Sequence, residues 1–254
     1  MEKFVALYDL HWGYQRKNGH KTALHDLKAL KVALDFVKDF KPDHIILGGD
    51  ILDCGAISHH NHGKPGATEG LKMLADAKEL ISTVITPLEA SKPKSLTYIV
   101  GNHEAWIDQL VEKHPALEGI VDLKSMLKLS EKWKIVPQGE THKLGKLIFM
   151  HGDQIKGGEH SAKWATVAWE ANVRFGHHHT SQVYTKTSAK DMHGHTGVAI
   201  PCLCKKDPAY GGGSPNRWMQ GFQFGYVNGP ENMFNDYTAI IVNGKSMING
   251  KLYK

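Results

Sequence analysis

Long apolar runs are missing from this 254-residue sequence. None approaches the roughly 18 residues that a membrane-spanning helix needs, and the amino terminus has no basic segment followed by an apolar core and a small-residue cleavage site. No membrane association is expected, and the cytoplasm is the predicted compartment. Cysteine is scarce too. Three residues, an odd number, do not make a disulfide framework, and Cys202-x-Cys204 lacks the Cys-x-x-Cys spacing of a redox or zinc pair. They read as ordinary thiols in a reducing compartment. Nor is there a large excess of one charge: 31 basic and 26 acidic residues leave +5. That balance favours an anionic substrate through the field of the whole protein, but it lacks the Lys/Arg stripe of a dedicated duplex binder. No internal repeat or low-complexity linker divides the chain, and a 41% hydrophobic content suits a globular core, so residues 1–254 read as one domain.

Apolar, β-rich runs at Phe4–Leu7, Ile45–Leu47, Leu96–Val100, Leu147–Met150 and Val173–Phe175 predict strands. Between the first two, residues 22–40 place Leu27, Leu30, Leu34 and Val37 at helical spacing and stop before Lys41-Pro42, so a βαβ unit is expected. A loop rich in Gly, His and Pro follows at 54–68, and then Leu71, Leu74, Ile81, Val84 and Leu88 predict the inner side of a second helix. Residues 105–130 read as a broken helix, interrupted at Pro115 and Gly119, and as a candidate cap. Residues 133–150 read as two strands of a second sheet, and 161–171 as a short helix with Trp164, Val167, Ala168 and Ala171 on one face. Beyond Val173, the segments 182–187, 196–203, 218–227, 237–242 and 246–253 read as antiparallel strands.

Each of the five runs is followed by a block of ligand-type residues. These are Asp9-Leu10-His11, Gly49-Asp50-Ile51-Leu52-Asp53, Gly101-Asn102-His103-Glu104, His151-Gly152-Asp153 and Gly176-His177-His178-His179. Ligands at strand ends converge along one sheet edge, where open α/β folds place their sites. Carboxylate, amide and imidazole groups in this number suit two divalent cations. Ions roughly 3.5–4 Å apart need an anionic oxygen between them, and Asp50 is the natural bridge. Asp9, His11 and one histidine of the last block would complete one ion; Asn102, His151 and another would complete the second. Alternation along an extended chain puts His177 and His179 on one side and His178 on the other, so His178 is expected outside the ligand set. A ligand set without thiolate suits Mn²⁺, with Fe or Zn²⁺ as alternatives, better than Mg²⁺.

In this order the blocks resemble the signature of the calcineurin-like metallophosphoesterases, which runs D-x-H, G-D-x-x-D, G-N-H-[DE], H and G-H-x-H. The resemblance covers residues 9–179 and implies a four-layer α/β/β/α sandwich of two mixed sheets flanked by helices. It implies Asp9, His11, Asp50 and His179 as the first metal site and Asp50, Asn102, His151 and His177 as the second. It further implies that His103 is a general acid or transition-state stabiliser and not a ligand, with Asp53 orienting it. A third metal ligand or a cap of the next segment are other roles open to Asp53.

Hydrolysis is then expected by in-line attack of a metal hydroxide, with no covalent enzyme intermediate, while His103 assists the departing oxygen. The expected substrate is a phosphodiester of a nucleotide or nucleic acid. A monoester carries about two charges and rewards extra cationic clamps. Here the third block continues Ala105-Trp106, where the resembling protein serine/threonine phosphatases carry an arginine. A phosphomonoesterase, acting on proteins or nucleotides, and a non-catalytic scaffold of the same fold are the alternatives. Substrate contacts are expected from His59, His60, His62 and Lys64 in the loop after Asp50, and from Arg217 and Trp218, where cations and aromatic faces mix.

Overall fold

Strand β1 (Glu2–Leu7) is buried on both faces from Phe4 onward, the pattern of a central strand. Strands β2 (Tyr14–Lys17) and β3 (His20–Ala23) pair as a small hairpin. Helix α1 (Leu27–Phe40) follows, capped by Asp26, whose side chain accepts from the Lys28 and Ala29 amides at 2.9 and 3.2 Å; such a cap contributes about 1 kcal/mol. The helix begins later than the expected residue 22 because the hairpin takes Thr22 and Ala23. Leu27 therefore faces solvent, and Ala29, Leu30, Val32, Ala33, Phe36 and Val37 form the buried side.

After β4 (His44–Leu47), helix α2 (Gly70–Leu80) runs through a π-helical turn, Ile81–Ile85, into α3 (Thr86–Ala90). The extra residue of the wider turn displaces the buried face upstream by one position. Met73, Ala77 and Leu80 are buried ahead of it and Val84, Ile85 and Leu88 after it, whereas the expected core residue Leu74 is exposed. Strand β5 (Ser95–Ile99) leads into α4 (Asn102–Lys113), a 3-10 turn at Pro115–Leu117 and α5 (Leu123–Met126). This broken helix matches the expected interruptions, and its Ile107, Leu123 and Leu127 are buried in the same core as α1. Next come β6 (Trp133–Val136), β7 (His142–Leu144), β8 (Leu147–Met150), α6 (Ser161–Trp169) and β9 (Asn172–Phe175). The chain finishes with β10 (Gln182–Ser188), β11 (Asp191–Ala199), β12 (Gln220–Asn228), β13 (Met233–Ile241), β14 (Ser246–Ile248) and β15 (Lys251–Tyr253). The computed structural model describes residues 1–17, 20–58, 70–189, 191–207, 216–229 and 233–254.

Two mixed sheets carry eleven of these strands, and β2-β3 and β14-β15 form separate two-stranded pairs. The first has the order β13-β12-β1-β4-β5-β6, with β1, β4, β5 and β6 parallel and β12 and β13 antiparallel. The second has the order β10-β11-β9-β8-β7, with β8, β9 and β11 parallel. Two expectations are corrected here. Strand β6 was expected beside β8 in the second sheet but pairs with β5, because Trp133 is buried against the helical side and its indole N–H donates to Glu89 of α3 at 2.8 Å. Strand β11 is antiparallel only to β10; toward β9 it is parallel.

The layers follow from where apolar side chains meet. Val5, Leu7, Ile45 and Leu47 pack outward against α1 to α4, while Phe4, Ala6, Ile46 and Ile99 face Leu147, Phe149, Val198 and Ile200 across the gap between sheets. Val173, Phe175 and Ala199 pack under α6. Helices, sheet, sheet and helix make the four-layer α/β/β/α order. Helix α6 presents Ala162, Ala165 and Thr166 to its sheet, not the expected Val167, which is 46% exposed. The approach is too close for large residues: a Cβ on Gly197 of β11 would lie 2.4 Å from the Ala162 carbonyl. Between the sheets, the wholly buried Arg174 of β9 reaches Asp236 of β13 at 2.5 and 2.9 Å. Among the described residues, no helix is long and apolar enough to cross a membrane.

Candidate metal centre

The parallel strands β1, β4 and β5 of one sheet and β8 and β9 of the other all end at the five blocks. Past those ends the backbone turns into conformations that few L-residues adopt. Asp9, His11, Asp50, His177 and His179 have φ of 51°, 44°, 51°, 64° and 56°. Left-handed backbone costs about 1 kcal/mol or more per non-glycine residue and persists only where its surroundings over-determine it. Here the constraint is partly a backbone ladder, in which Asp9 N–H donates to Gly49 O at 3.1 Å, His11 N–H to Asp50 O at 2.8 Å and Asp53 N–H to Trp12 O at 2.9 Å. Two glycines are obligatory for space: a Cβ on Gly49 would lie 2.5 Å from His151 Nδ1, and one on Gly101 would lie 2.3 Å from Asp50 Oδ1.

Glu104 supplies the rest of the constraint, a role the sequence reading did not assign. Its buried carboxylate accepts from the amides of Asp50, Ile51 and Leu52 at 3.0, 2.6 and 3.0 Å, from Gly101 N–H at 3.0 Å and from the Tyr98 hydroxyl at 2.8 Å. Burial and the Asp50 charge push this carboxyl upward. Four of its five partners are backbone N–H groups that can only donate, which favours the anion against that push. A carboxylate three residues into a helix that reaches back to the preceding amide is a recognisable local signal; the reach to residues 50–52 is not.

Side chains from all five blocks converge. Asp50 Oδ2 lies 3.7 Å from His11 Nε2, 3.3 Å from His151 Nε2 and 4.0 Å from His103 Nε2, while its Oδ1 accepts from the His103 amide at 2.9 Å. His11 Nε2 and His179 Nε2 face each other at 3.3 Å, and His179 Nε2 is 3.5 Å from Asp9 Oδ1. On the other side, Asn102 Oδ1 is 3.0 Å from His151 Nε2, and the His151 and His177 rings stand 5.1 Å apart. Asp9–His11–Asp50 and Asp50–His151–His177 are both groups whose ligand atoms are close enough to share one ion. The fit to a cation is chemical as well as geometric. Asp9 Oδ1 is buried and accepts no hydrogen bond among the described residues, and an unpartnered buried oxygen needs a positive partner.

Electrostatics point the same way. Burial would raise Asp50 and Asp53, yet the imidazoles beside them hold both carboxyls below the usual range. Burial would likewise lower His103 and His151, but the carboxylates outweigh it and raise them to about 9 and about 10. A pocket that keeps protons on buried imidazoles is one that stabilises cationic charge. His177 differs: burial and His151 lower it to about 4, leaving a neutral ring with a free lone pair.

Asp53 Oδ1 lies 3.0 Å from His103 Nδ1 and also 3.3 Å from His11 Nδ1, so one oxygen faces two imidazoles. His178 is directed elsewhere, its Nε2 bonded to the Ile155 carbonyl at 3.1 Å. The reason differs from the expected strand alternation, since β9 ends at Phe175 and the separation comes from left-handed turns at His177 and His179 on either side. Trp218 packs edge-on to His179 with centroids 4.1 Å apart, and Trp106, unassigned from sequence, lies 4.3 Å from the His103 ring. Arg217 pairs with Glu159 at 2.5 Å on the surface. His59, His60, His62 and Lys64 lie outside the described residues. Cys204, read from sequence as an ordinary thiol, sits beside the centre, with Sγ 3.9 Å from His179 Nδ1.

No curated protein matches the chain. Among solved structures it is similar to the phosphoesterase Yfce from E. coli, with 13% identity, a TM-score of 0.42 and coverage of 92% of this chain and 98% of that one. A dimetal phosphatase from Danio rerio matches at 11% identity with a TM-score of 0.45, over 89% and 92% of the two chains. Vps29 of Chaetomium thermophilum matches at 9% identity with a TM-score of 0.44, over 94% and 92%. A family model described as calcineurin-like phosphoesterase matches residues 3–212, a span that contains every strand-end block of the centre, and the chain belongs to that family.

Proposed function

We propose that this chain is a dinuclear metal-dependent phosphoesterase that cleaves phosphodiesters of a nucleotide or nucleic acid. The carrying observation is Asp50, whose single oxygen Oδ2 faces His11, His151 and His103 within 4.0 Å and so has neighbours on both sides of a paired site. Asp9, His11, Asp50 and His179 would hold one ion, and Asp50, Asn102, His151 and His177 the other; the carboxylate, amide and imidazole set suits Mn²⁺. Bound there, the ions supply charge neutralisation at the phosphoryl oxygens and a water acidic enough to attack at neutral pH.

The chain's own residues do the rest. His103 donates to the departing oxygen, and Asp53 fixes the ring through Nδ1. Trp218 packs on His179 at one end of the row of imidazoles, and Arg217 is paired with Glu159 on the surface. The Trp218 ring beside His179 supports a substrate that carries an organic substituent on each side of phosphorus, a diester, over a monoester. Hydrolysis of bis(nitrophenyl) phosphate, nitrophenyl phosphate, cyclic nucleotides and single- and double-stranded DNA, each with Mn²⁺, tests the reading. Faster turnover of diesters is the expected result. Preference for the monoester would make the protein a phosphatase, and no turnover with two ions bound would make it a scaffold.

His103→Ala separates catalysis from metal binding. It should retain both ions and lose about 10²- to 10⁴-fold in turnover on a nucleotide diester, with a much smaller loss on a nitrophenyl ester, whose leaving group departs without a proton. Equal losses on the two substrates would mean that His103 stabilises charge at phosphorus and donates nothing.

A further inference from the structure

Three of the histidines assigned to the ions, His11, His151 and His179, have a hydrogen-bonding group at the other ring nitrogen, and the three groups differ in kind. His11 Nδ1 is 3.3 Å from the Asp53 carboxylate, and His151 Nδ1 is 3.0 Å from the Gly48 carbonyl. His179 Nδ1 has neither: its hydrogen-bond partner among the described residues is the Cys204 sulfur at 3.9 Å. A ligand histidine donates its remote N–H to such a partner, which fixes the tautomer, aims the ring and raises its basicity. Carboxylate and carbonyl are strong acceptors; a thiol sulfur is a weak one.

The thiol is held in place with care for so weak a contact. Cys204 is 2% exposed and forms a β-bridge with His25, and its carbonyl accepts from the Gln220 amide at 2.8 Å. The adjacent Leu203 N–H donates to the carbonyls of Tyr8 and Asp9 at 3.2 Å, which ties this segment to the first block itself. On the far side of the ring, the Met219 amide donates to the His179 carbonyl at 2.7 Å and Trp218 covers the imidazole. His179 is therefore enclosed on all sides yet only lightly held at Nδ1.

Building on the two-ion reading above, we propose that Cys204 is the positioning residue of His179, that it accepts the Nδ1 proton without ligating, and that this soft acceptor tunes the affinity of the first metal site. The stronger acceptors at His11 and His151 leave His179 as the ligand whose affinity is set by residue 204. A hydroxyl there is a stronger acceptor, and an alkyl group removes the contact while leaving the bulk.

The test is the metal-binding isotherm of the full-length protein with Mn²⁺ alone, read as free ion, for wild type, Cys204→Ser, Cys204→Val and the neighbouring Cys202→Ala. Wild type should bind two ions. Cys204→Val should weaken one step by about tenfold, the lower end of what remote partners of ligand histidines contribute, and leave the other step unchanged. Cys204→Ser, which offers the stronger acceptor, should tighten that step beyond wild type, which a merely structural role for the thiol would not predict, and Cys202→Ala should match wild type. Co²⁺-loaded wild type should show no thiolate-to-metal charge-transfer band. Such a band would make Cys204 a ligand and overturn the proposal, as would two-ion isotherms that are the same in wild type and Cys204→Val. Fewer than two ions in wild type would overturn the two-metal reading and this proposal together.

Discussion

Replacing Glu104 by Gln tests whether the centre is held by one carboxylate. The side chain keeps its volume, but one of its two oxygens becomes an NH₂ that can only donate. If the amide nitrogen takes the Oε2 position it meets the amides of Asp50 and Gly101; if it takes Oε1 it meets those of Ile51 and Leu52, while the Tyr98 hydroxyl can turn to accept. Either orientation leaves two buried backbone N–H groups without an acceptor, at about 1–3 kcal/mol each. Loss of the repulsion between Glu104 and Asp50 offsets part of this, so the net loss should be about 2–4 kcal/mol. For a chain of this size about 1 kcal/mol moves Tm by about 2–4 °C, which gives a fall of about 4–16 °C. Urea unfolding with an unchanged m-value checks the magnitude, and Mn²⁺ binding checks the consequence, because the turn that aims Asp50 hangs from the same carboxylate. A variant within about 0.5 kcal/mol of wild type, near the limit of ordinary surface substitutions, would refute the role given to Glu104.

Other outcomes follow from the same geometry. Asp50→Asn removes the anion shared by both sides of the centre, so bound Mn²⁺ should fall below two per chain and hydrolysis should cease; His178→Ala, which alters only a ring bonded to Ile155, should keep two ions, and metal analysis distinguishes them. Asp236→Ala strands the buried Arg174 guanidinium between the sheets, so it should cost about 3–5 kcal/mol by denaturant unfolding with little change in metal stoichiometry. His142, far from the centre, is lowered to about 4 by burial and by Lys134. The unfolded chain then binds the extra proton between about pH 4 and 6.5, so stability is full above that window and declines as pH falls through it, by at most about 3 kcal/mol. His142→Leu should flatten this part of the pH–stability curve, and an unchanged slope would assign the acid loss to other groups.

The chemistry of the centre was legible because it is local. An aspartate, asparagine or histidine placed just after an apolar strand is a statement about residue type and position, and five such blocks announce a common sheet edge before any strand is paired. The alternation of strands and helices was legible for the same reason, while the four-layer order was implied by the family resemblance of the blocks. What the sequence could not settle was partnership. Strand β6 has the same pattern whether it joins β5 or β8, and Trp133 reaching Glu89 decides it only once α3 is in place. The inner face of α6 is chosen by its close approach to Gly197, against the residue hydrophobicity that favours Val167. Asp53 serves two histidines that are distant from each other in the chain, and Glu104 gathers amides from the turn after β4. Cys204 meets His179 only because the segment after β11 runs back along the first block. Ligand types are properties of single residues, whereas the hydrogen bonds that aim them are properties of chain segments brought side by side, and only the tertiary structure does that.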